Sequence, residues 1–530
     1  MQIYSFSPFG YEGSLVTVEV DLRRGIPAID LVGLADGAVK EARERMQAAI
    51  RNSGFDFPPE RILISLSPAD LKKEGAGFDL PIALAVLCAK QDNSEEENPI
   101  KDNTPVLIMG ELELSGKVRP VRGVHAAAAA TAATAGIMRC IVPAANADEA
   151  REVPGMKVFG TESLEEAFAA LSNPEVFTER KSTAPNKEDE IPENFELVNG
   201  VLFQKITPEL EFSTIKGQKK LIRALQIAAA GGHNLIAVGA PGCGKTLCIQ
   251  KFPGLLPALT IEESQPVTRI LSLAGLLPAK QPLVRVPPFR IPHQTATIEG
   301  ICGGGTLCRP GEISLAHNGV LFLDEAAEFR TSVLQMLRVP LESGKITISR
   351  AGRSTVFPAA FQLLMATNPC PCGNFGSETK LCLCSARSIE MYWKKLSAPL
   401  LDRIDIRIPV KNEIENGSEN PENQERISTR ELRIEIAKAV LTQRKRQGKK
   451  NAHLTPEEIA KFCGTEPETQ AILTNSAEKF GFSPRATANC LKLARTIADM
   501  SGSEKIGAPH IKEAVELRKA FTNFMETEIP

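Results

Sequence analysis

The chain has 530 residues, 43% of them hydrophobic, which suffices for several cores and about two to four domains. A net charge of −2 and a pI near 6.4 exclude a globally basic nucleic-acid binder, so any phosphate-binding surface must be local. No apolar run approaches the ~18–20 residues of a membrane span, and the start Met1–Pro8 has no basic or apolar signal region, so a soluble, cytoplasmic protein is expected.

Residues 1–171 alternate β-like stretches, Leu15–Val20 and Arg61–Ser65, with helical ones, Asp36–Asn52 and the Ala-rich His125–Ala135. This pattern predicts a compact α/β domain. Within it, Leu71–Asp79 (Leu-Lys-Lys-Glu-Gly-Ala-Gly-Phe-Asp) and Arg119–His125 (Arg-Pro-Val-Arg-Gly-Val-His) resemble the Lon protease domain. That family uses a Ser-Lys dyad, serine as nucleophile and lysine as its base. Gly77 stands at the serine position and His125 at the lysine position, so the resemblance implies the fold without peptidase chemistry. Lys72, Lys73 and His125 are expected on a solvated surface, and the domain is expected to bind DNA, a partner or its own ring. Residues 172–196, with Pro174, Pro185, Pro192 and the charge run Lys187–Glu190, read as a linker.

Residues 197–410 carry the nucleotide motifs. The apolar run Leu235–Val238 leads into Gly239-Ala240-Pro241-Gly242-Cys243-Gly244-Lys245-Thr246, a phosphate-cradling loop between strand and helix. Its glycines let backbone N–H groups converge on ATP phosphates, Lys245 reaches the β/γ-phosphates, and the Thr246 hydroxyl holds Mg²⁺. The second motif is Gly319–Glu325, an apolar strand ending in Asp324, for the metal, and Glu325, for orienting the attacking water. The strand Phe361–Ala366 ends at Thr367-Asn368-Pro369, where Asn368 can sense the γ-phosphate. In Leu400–Asp405, Arg403 is the candidate arginine finger reaching a neighbouring subunit's nucleotide, with a local salt bridge to Asp402 or Asp405 as the alternative. Arg485, in Ser483-Pro484-Arg485, is a candidate to reach the γ-phosphate from the C-terminal region.

Between these motifs, Ser343-Gly344 precedes Lys345–Arg350, and Gly352-Arg353 precedes Ser354–Phe357. This predicts a hairpin turning at Arg350–Arg353, whose Lys345, Arg350 and Arg353 can meet DNA phosphates without reading sequence. Cys370, Cys372, Cys382 and Cys384 then form C-x-C…C-x-C within fifteen residues. Four thiolates so close suit a tetrahedral structural Zn²⁺, with an Fe–S cluster and free thiols as the alternatives.

Residues 411–427 read as a loop and 428–530 as helical, with Leu491, Ala494 and Ile497 on one buried face of Ala486–Met500. The basic run Arg444–Lys450 reads as a helix end stopped by Gly448, with a DNA patch as the alternative. Asp499–Ser503 fits a D-x-S-x-S metal string, but only 27 residues follow it, so it reads as a helix-ending turn.

The order and spacing of the nucleotide motifs resemble AAA+ ATPases. Pro288–Ala296, Gly303–Gly305, Arg309–Val320 and Leu337–Ala351 resemble the YifB/ComM family, the Mg-chelatase-like AAA+ proteins, and the likeness runs over nearly the whole chain. Gln294 departs from it, standing where the family has a second His after His293, which speaks against a metal role there. The resemblance implies an α/β architecture: a Lon-protease-like domain, a parallel-sheet P-loop core and a C-terminal helical lid. It implies two pore-facing insertions, one over roughly Ala279–Arg309 and one at the hairpin. It implies a homohexameric ring motor acting on single-stranded or branched DNA, a helicase or branch-migration factor in recombination or natural transformation, with recombination proteins as partners. A metal-inserting chelatase motor and an ATP-binding scaffold are the competing readings.

Overall fold

The computed structural model describes residues 2–33, 37–69, 73, 76–92, 104–179, 191–278, 281–305, 308–350, 353–376, 380–411 and 426–519. Its first domain is built on a seven-stranded mixed sheet. The strand order is Ile29–Val32, Arg61–Ser67, Ser14–Arg23, Ile3–Ser7, Val106–Ile108, Arg139–Pro143, Lys157–Thr161. Arg61–Ser67 alternates buried and outward residues, as a strand with one covered face must. Helix Asp79–Asp92 is apolar all round and buried from Asp79 to Cys88, so it fills the centre of the domain rather than its rim. The helix expected from Asp36 is present as Gly37–Asn52, and the Ala-rich one as Val124–Ala135.

The second domain has a five-stranded parallel sheet ordered Phe289–Arg290, Val320–Leu323, Gln362–Thr367, Leu235–Gly239, Ile406–Val410. Leu235–Gly239, Val320–Leu323 and Gln362–Thr367 are buried at every position, as strands covered on both faces are. All strands run the same way, so the segments after these three emerge side by side at one sheet edge. Phe289–Arg290 belongs to the core sheet, which narrows the first insertion expected over Ala279–Arg309. What interrupts the helical path is the ribbon Gly303–Gly304/Arg309–Pro310, between the short helices Ile298–Cys302 and Glu312–Leu315.

The hairpin pairs Lys345–Arg350 with Arg353–Pro358, with Arg350 opposite Arg353. Of the linker expected over 172–196, Ser172 ends helix Leu164–Ser172 and Phe195–Val198 pairs with Val201–Gln204; residues 180–190 lie outside the described residues.

The C-terminal region is helical: Thr429–Gln447 and Pro484–Ser501 pack on each other and on Lys219–Gly231 of the core, and Ala508–Lys519 packs on Pro484–Ser501. Thr429–Gln447 starts at a capping box, Ser428 with Glu431, and stops at Gly448 with φ 72°. Leu493 joins Ala494 and Ile497 in the core, and the half-buried Leu491 packs against it. Among the described residues, no helix is long and apolar enough to cross a membrane.

Candidate nucleotide site and cysteine knuckle

Gly239 ends its strand so close to the neighbouring strand Ile406–Val410 that a Cβ there would lie 2.2 Å from the Val410 carbonyl. Gly244 takes φ 87° as the N-cap of helix Lys245–Gln250, in the left-handed region that favours glycine. Lys245 is 7% exposed, and its Nζ donates to the carbonyls of Gly239 (2.6 Å) and Ala240 (2.8 Å) and to Asn368 Oδ1 (3.4 Å). Burial lowers its pKa, opposed by Cys243, Asp324 and Glu325. Thr246 Oγ1 donates to Asp324 Oδ1 at 3.1 Å, bringing together two hard oxygen atoms, a donor type that suits Mg²⁺. Glu325 is exposed at φ 50°, its N–H bonded to Asp324 Oδ1 at 3.0 Å. Lys245, Thr246, Asp324 and Asn368 thus converge from three strand ends, and Glu325 adjoins them.

Arg403 and Arg485 lie elsewhere. Arg403 donates to Glu342 Oε2 (2.6 Å) and to the Pro399 carbonyl (2.7 Å), and Arg485 donates to Glu342 Oε1 (3.4 Å). The two arginines meet each other at Glu342 rather than Lys245. Asp402 and Asp405, the alternative partners for Arg403, are engaged by Arg518 and by His233. No sequence motif singled out Glu342.

The four cysteine sulfurs lie within 4.8 Å of one another. Cys370 is 3.4 Å from Cys372 and 3.7 Å from Cys382, and Cys372 is 3.6 Å from Cys382. A tetrahedral zinc with bonds of about 2.3 Å sets its sulfurs roughly 3.8 Å apart, so the set fits one metal ion. Disulfides need about 2.05 Å, and a multi-iron core would spread the sulfurs further. The Asn374 amide and Cys370 draw the exposed Cys372 thiol down to about 6, while burial pushes Cys370 up to about 12.

Lys345 is exposed on the hairpin; the backbone sets Arg350 and Arg353 at its tip, and nothing is described of their side chains. In the basic run Arg444–Lys450, Arg446 grips Asp499 at 2.7 and 2.8 Å and Lys449 pairs with Glu458, while Arg444 and Lys445 stay exposed. Asp499, also held by Arg495, is 1% exposed at the end of helix Pro484–Ser501, so the D-x-S-x-S string is a helix terminus and not an open cation site.

In the first domain, Lys73 and His125 are both buried, which overturns the solvated surface expected for them; Lys72 lies outside the described residues. Lys73 donates to the Pro68 carbonyl. His125 Nε2 meets Gln265 of helix Ile261–Ala274 at 2.9 Å, and burial lowers the imidazole to about 4. The same helix receives Glu149 through Ser272 (2.8 Å), and its Arg269 lies 4.3 Å over the Tyr11 ring. Tyr11 in turn bonds Thr355 and packs edge-on against Phe357 of the hairpin. The first domain is therefore docked on the second through His125, Glu149 and Tyr11.

Family models match most of this architecture. That described as magnesium chelatase, subunit ChlI, covers residues 211–418; subunit ChlI of Mg-chelatase covers 18–146; and magnesium chelatase, subunit ChlI C-terminal, covers 426–518. The chain is 38% identical over 521 residues to competence protein ComM of Haemophilus influenzae, covering 97% of each chain. It is 38% identical over 526 residues to the uncharacterized protein YifB of Escherichia coli, covering 97% of this chain and 96% of that one. The chain belongs to the YifB/ComM family. A more distant likeness, 28% over 228 residues, links it to the archaeal Lon protease of Methanocaldococcus jannaschii, covering 41% of this chain and 30% of the protease. YifB/ComM membership makes the chain a Mg-chelatase-like AAA+ protein, and that family implies ATP, Mg²⁺ and an oligomer.

Proposed function

We propose that this protein is an ATP-hydrolysing, homohexameric ring motor that acts on DNA during recombination or natural transformation. The observation that carries the hydrolytic part is the convergence of Lys245, Thr246, Asp324 and Asn368 at one edge of a parallel sheet, with Glu325 beside them. Gly239, Pro241, Gly242 and Gly244 shape the phosphate loop, Lys245 balances the phosphate charge, and Thr246 with Asp324 holds Mg²⁺. Glu325 orients the attacking water and Asn368 senses the γ-phosphate. Arg403 and Arg485, gathered at Glu342 away from their own chain's phosphate loop, serve the nucleotide of a neighbouring subunit.

The DNA assignment draws on the full-length likeness to a protein named for competence and on the projecting hairpin with Lys345, Arg350 and Arg353. These cations engage backbone phosphates, giving sequence-independent grip on single-stranded or branched substrates. The four cysteines hold one structural zinc. The chelatase reading has the matching family names in its favour, but the buried Asp499 removes the metal string it would need.

ATP hydrolysis measured with and without branched DNA tests the proposal. A several-fold stimulation by DNA, with displacement of a labelled strand, is expected. Hydrolysis indifferent to DNA at low salt would overturn the DNA assignment and leave the ATPase standing.

A further inference from the structure

The cysteine knuckle sits against the nucleotide site, and its two ends are the pieces that site depends on. The chain enters it from strand Gln362–Thr367 through Asn368 and Pro369, so Cys370 is two residues from the amide that meets Lys245. It leaves through Ser385, the N-cap of helix Ala386–Lys394. That helix returns to hold the strand end: Trp393 Nε1 donates to the Pro369 carbonyl at 3.0 Å, and Tyr392 shares a 3.1 Å hydrogen bond with Thr367. Between the first two sulfurs and the rest, Gly373 turns at φ 80° with its N–H on the Cys370 carbonyl at 3.0 Å. A Cβ on Gly373 would stand 2.5 Å from Cδ and 2.6 Å from Cγ of Pro241. The knuckle's turn therefore rests directly on the ring of the phosphate loop's proline.

We propose that the metal-loaded knuckle is a clamp on the nucleotide site, so that metal binding at Cys370, Cys372, Cys382 and Cys384 and nucleotide binding at the phosphate loop strengthen each other. This rests on the one-metal reading of the four cysteines. Four thiolates within 4.8 Å of one another repel unless a cation holds them. Releasing the ion lets the turn at Gly373 open. The contact with Pro241 then loosens, and Asn368, anchored two residues from Cys370, loses its fixed station beside Lys245. A ligand that prefers the closed phosphate loop must then also favour the metal-bound knuckle, because coupling between two sites is reciprocal. Gly373 and Pro369 are positioning residues in this scheme: they touch no phosphate and act through Pro241 and Asn368.

The test uses the full-length protein purified without chelator. Elemental analysis first gives the zinc content. Zinc affinity is then read by competition with a chromogenic chelator, with and without saturating ADP. Binding of a fluorescent ADP analogue is measured on loaded protein, on stripped protein and after zinc is restored. The clamp predicts about one zinc per chain, roughly tenfold tighter zinc with ADP, and a reciprocal tenfold loss of ADP affinity on stripping, reversed by zinc. Gly373→Ala, which retains all four sulfurs, should keep its zinc and weaken ADP binding. Bound zinc whose affinity ignores ADP, together with unchanged ADP affinity in Gly373→Ala, would overturn the clamp while leaving the metal site intact. Protein without metal and with four freely titrating thiols would overturn the one-metal reading instead.

Discussion

Both α/β domains place a basic side chain at the start of a helix whose N-cap is a left-handed glycine. In the AAA+ domain the glycine is Gly244, φ 87°, and the side chain is Lys245; in the Lon-like domain they are Gly123, φ 80°, and His125. What faces the two helix ends differs. Around Gly242 and Gly244 an added Cβ would meet nothing within 4 Å, so the backbone N–H groups there are open to phosphate. Before the other helix, in a pocket lined by Gly123, Asn146, Glu149 and Ser272, the chain places a carboxylate of its own. The Glu149 carboxylate accepts from the His125 backbone N–H, from Ser272 and from Asn146, and the Gly123 N–H bonds the Ser272 carbonyl at 3.2 Å. A helix N-terminus attracts an anion in either case. One domain leaves the place to a substrate, and the other supplies the anion from its own chain and seals it with a neighbouring helix.

The strongest way to break this comparison is at the open end. Glu325→Gln should bind ATP and hydrolyse it ~10²-fold or more slowly, because the water loses its orienting carboxylate, whereas Lys245→Ala should fail to hold ATP. Single-turnover hydrolysis alongside nucleotide binding separates the two, and wild-type turnover in Glu325→Gln would remove that residue from its role.

The sealed end predicts a pH effect. His125 titrates near 4 in the folded chain, against 6.5 when unfolded, because burial first, and Arg269 as well, disfavour its charge while Gln265 favours it. Between those values the unfolded chain binds the proton, so this contribution to stability is whole above pH 6.5 and drains away as pH falls towards 4. At pH 5 the loss amounts to about 2 kcal/mol. Denaturant titrations at pH 7 and pH 5 should show wild type losing about that much more than His125→Gln. His317 and His453, also lowered to about 4, contribute equally to both proteins. Equal losses would mean that the His125 ring is not sealed.

Two further experiments ask whether the open end is completed by another subunit and by DNA. Arg403→Ala and Lys245→Ala should each be at least ~10-fold impaired, and mixing them should restore part of the activity, since some interfaces then hold both intact groups. Mixed rings that form and stay inactive would confine Arg403 to its own chain. Arg350→Ala with Arg353→Ala should spare basal hydrolysis and flatten the salt dependence of DNA binding, by roughly one log-log unit per lost contact per engaged subunit. An unchanged slope would move the DNA contacts elsewhere.

The phosphate loop, the acidic strand end, the hairpin register and the cysteine spacing could be read without coordinates because each is a contiguous piece of backbone. A strand, its turn and the next few residues carry the chemistry together, so residue order already states which groups are neighbours. The AAA+ sheet and the helical lid followed from those pieces and their resemblance. Burial could not be read the same way. Lys73 and His125 are polar types that ordinarily face water, and only packing against helix Ile261–Ala274, with Gln265 lying 140 positions from His125, hides the imidazole. Glu342 draws in Arg403 and Arg485 from 61 and 143 positions away, and no local pattern marks it as their meeting point. Gly373 looks like an ordinary turn glycine until Pro241 is found against it. Residue order already named the reactive groups, since their types and short spacings are covalent facts. The tertiary structure alone decided which helix end is open, which is sealed, and what rests on the phosphate loop, because those depend on the packing of segments distant in the chain.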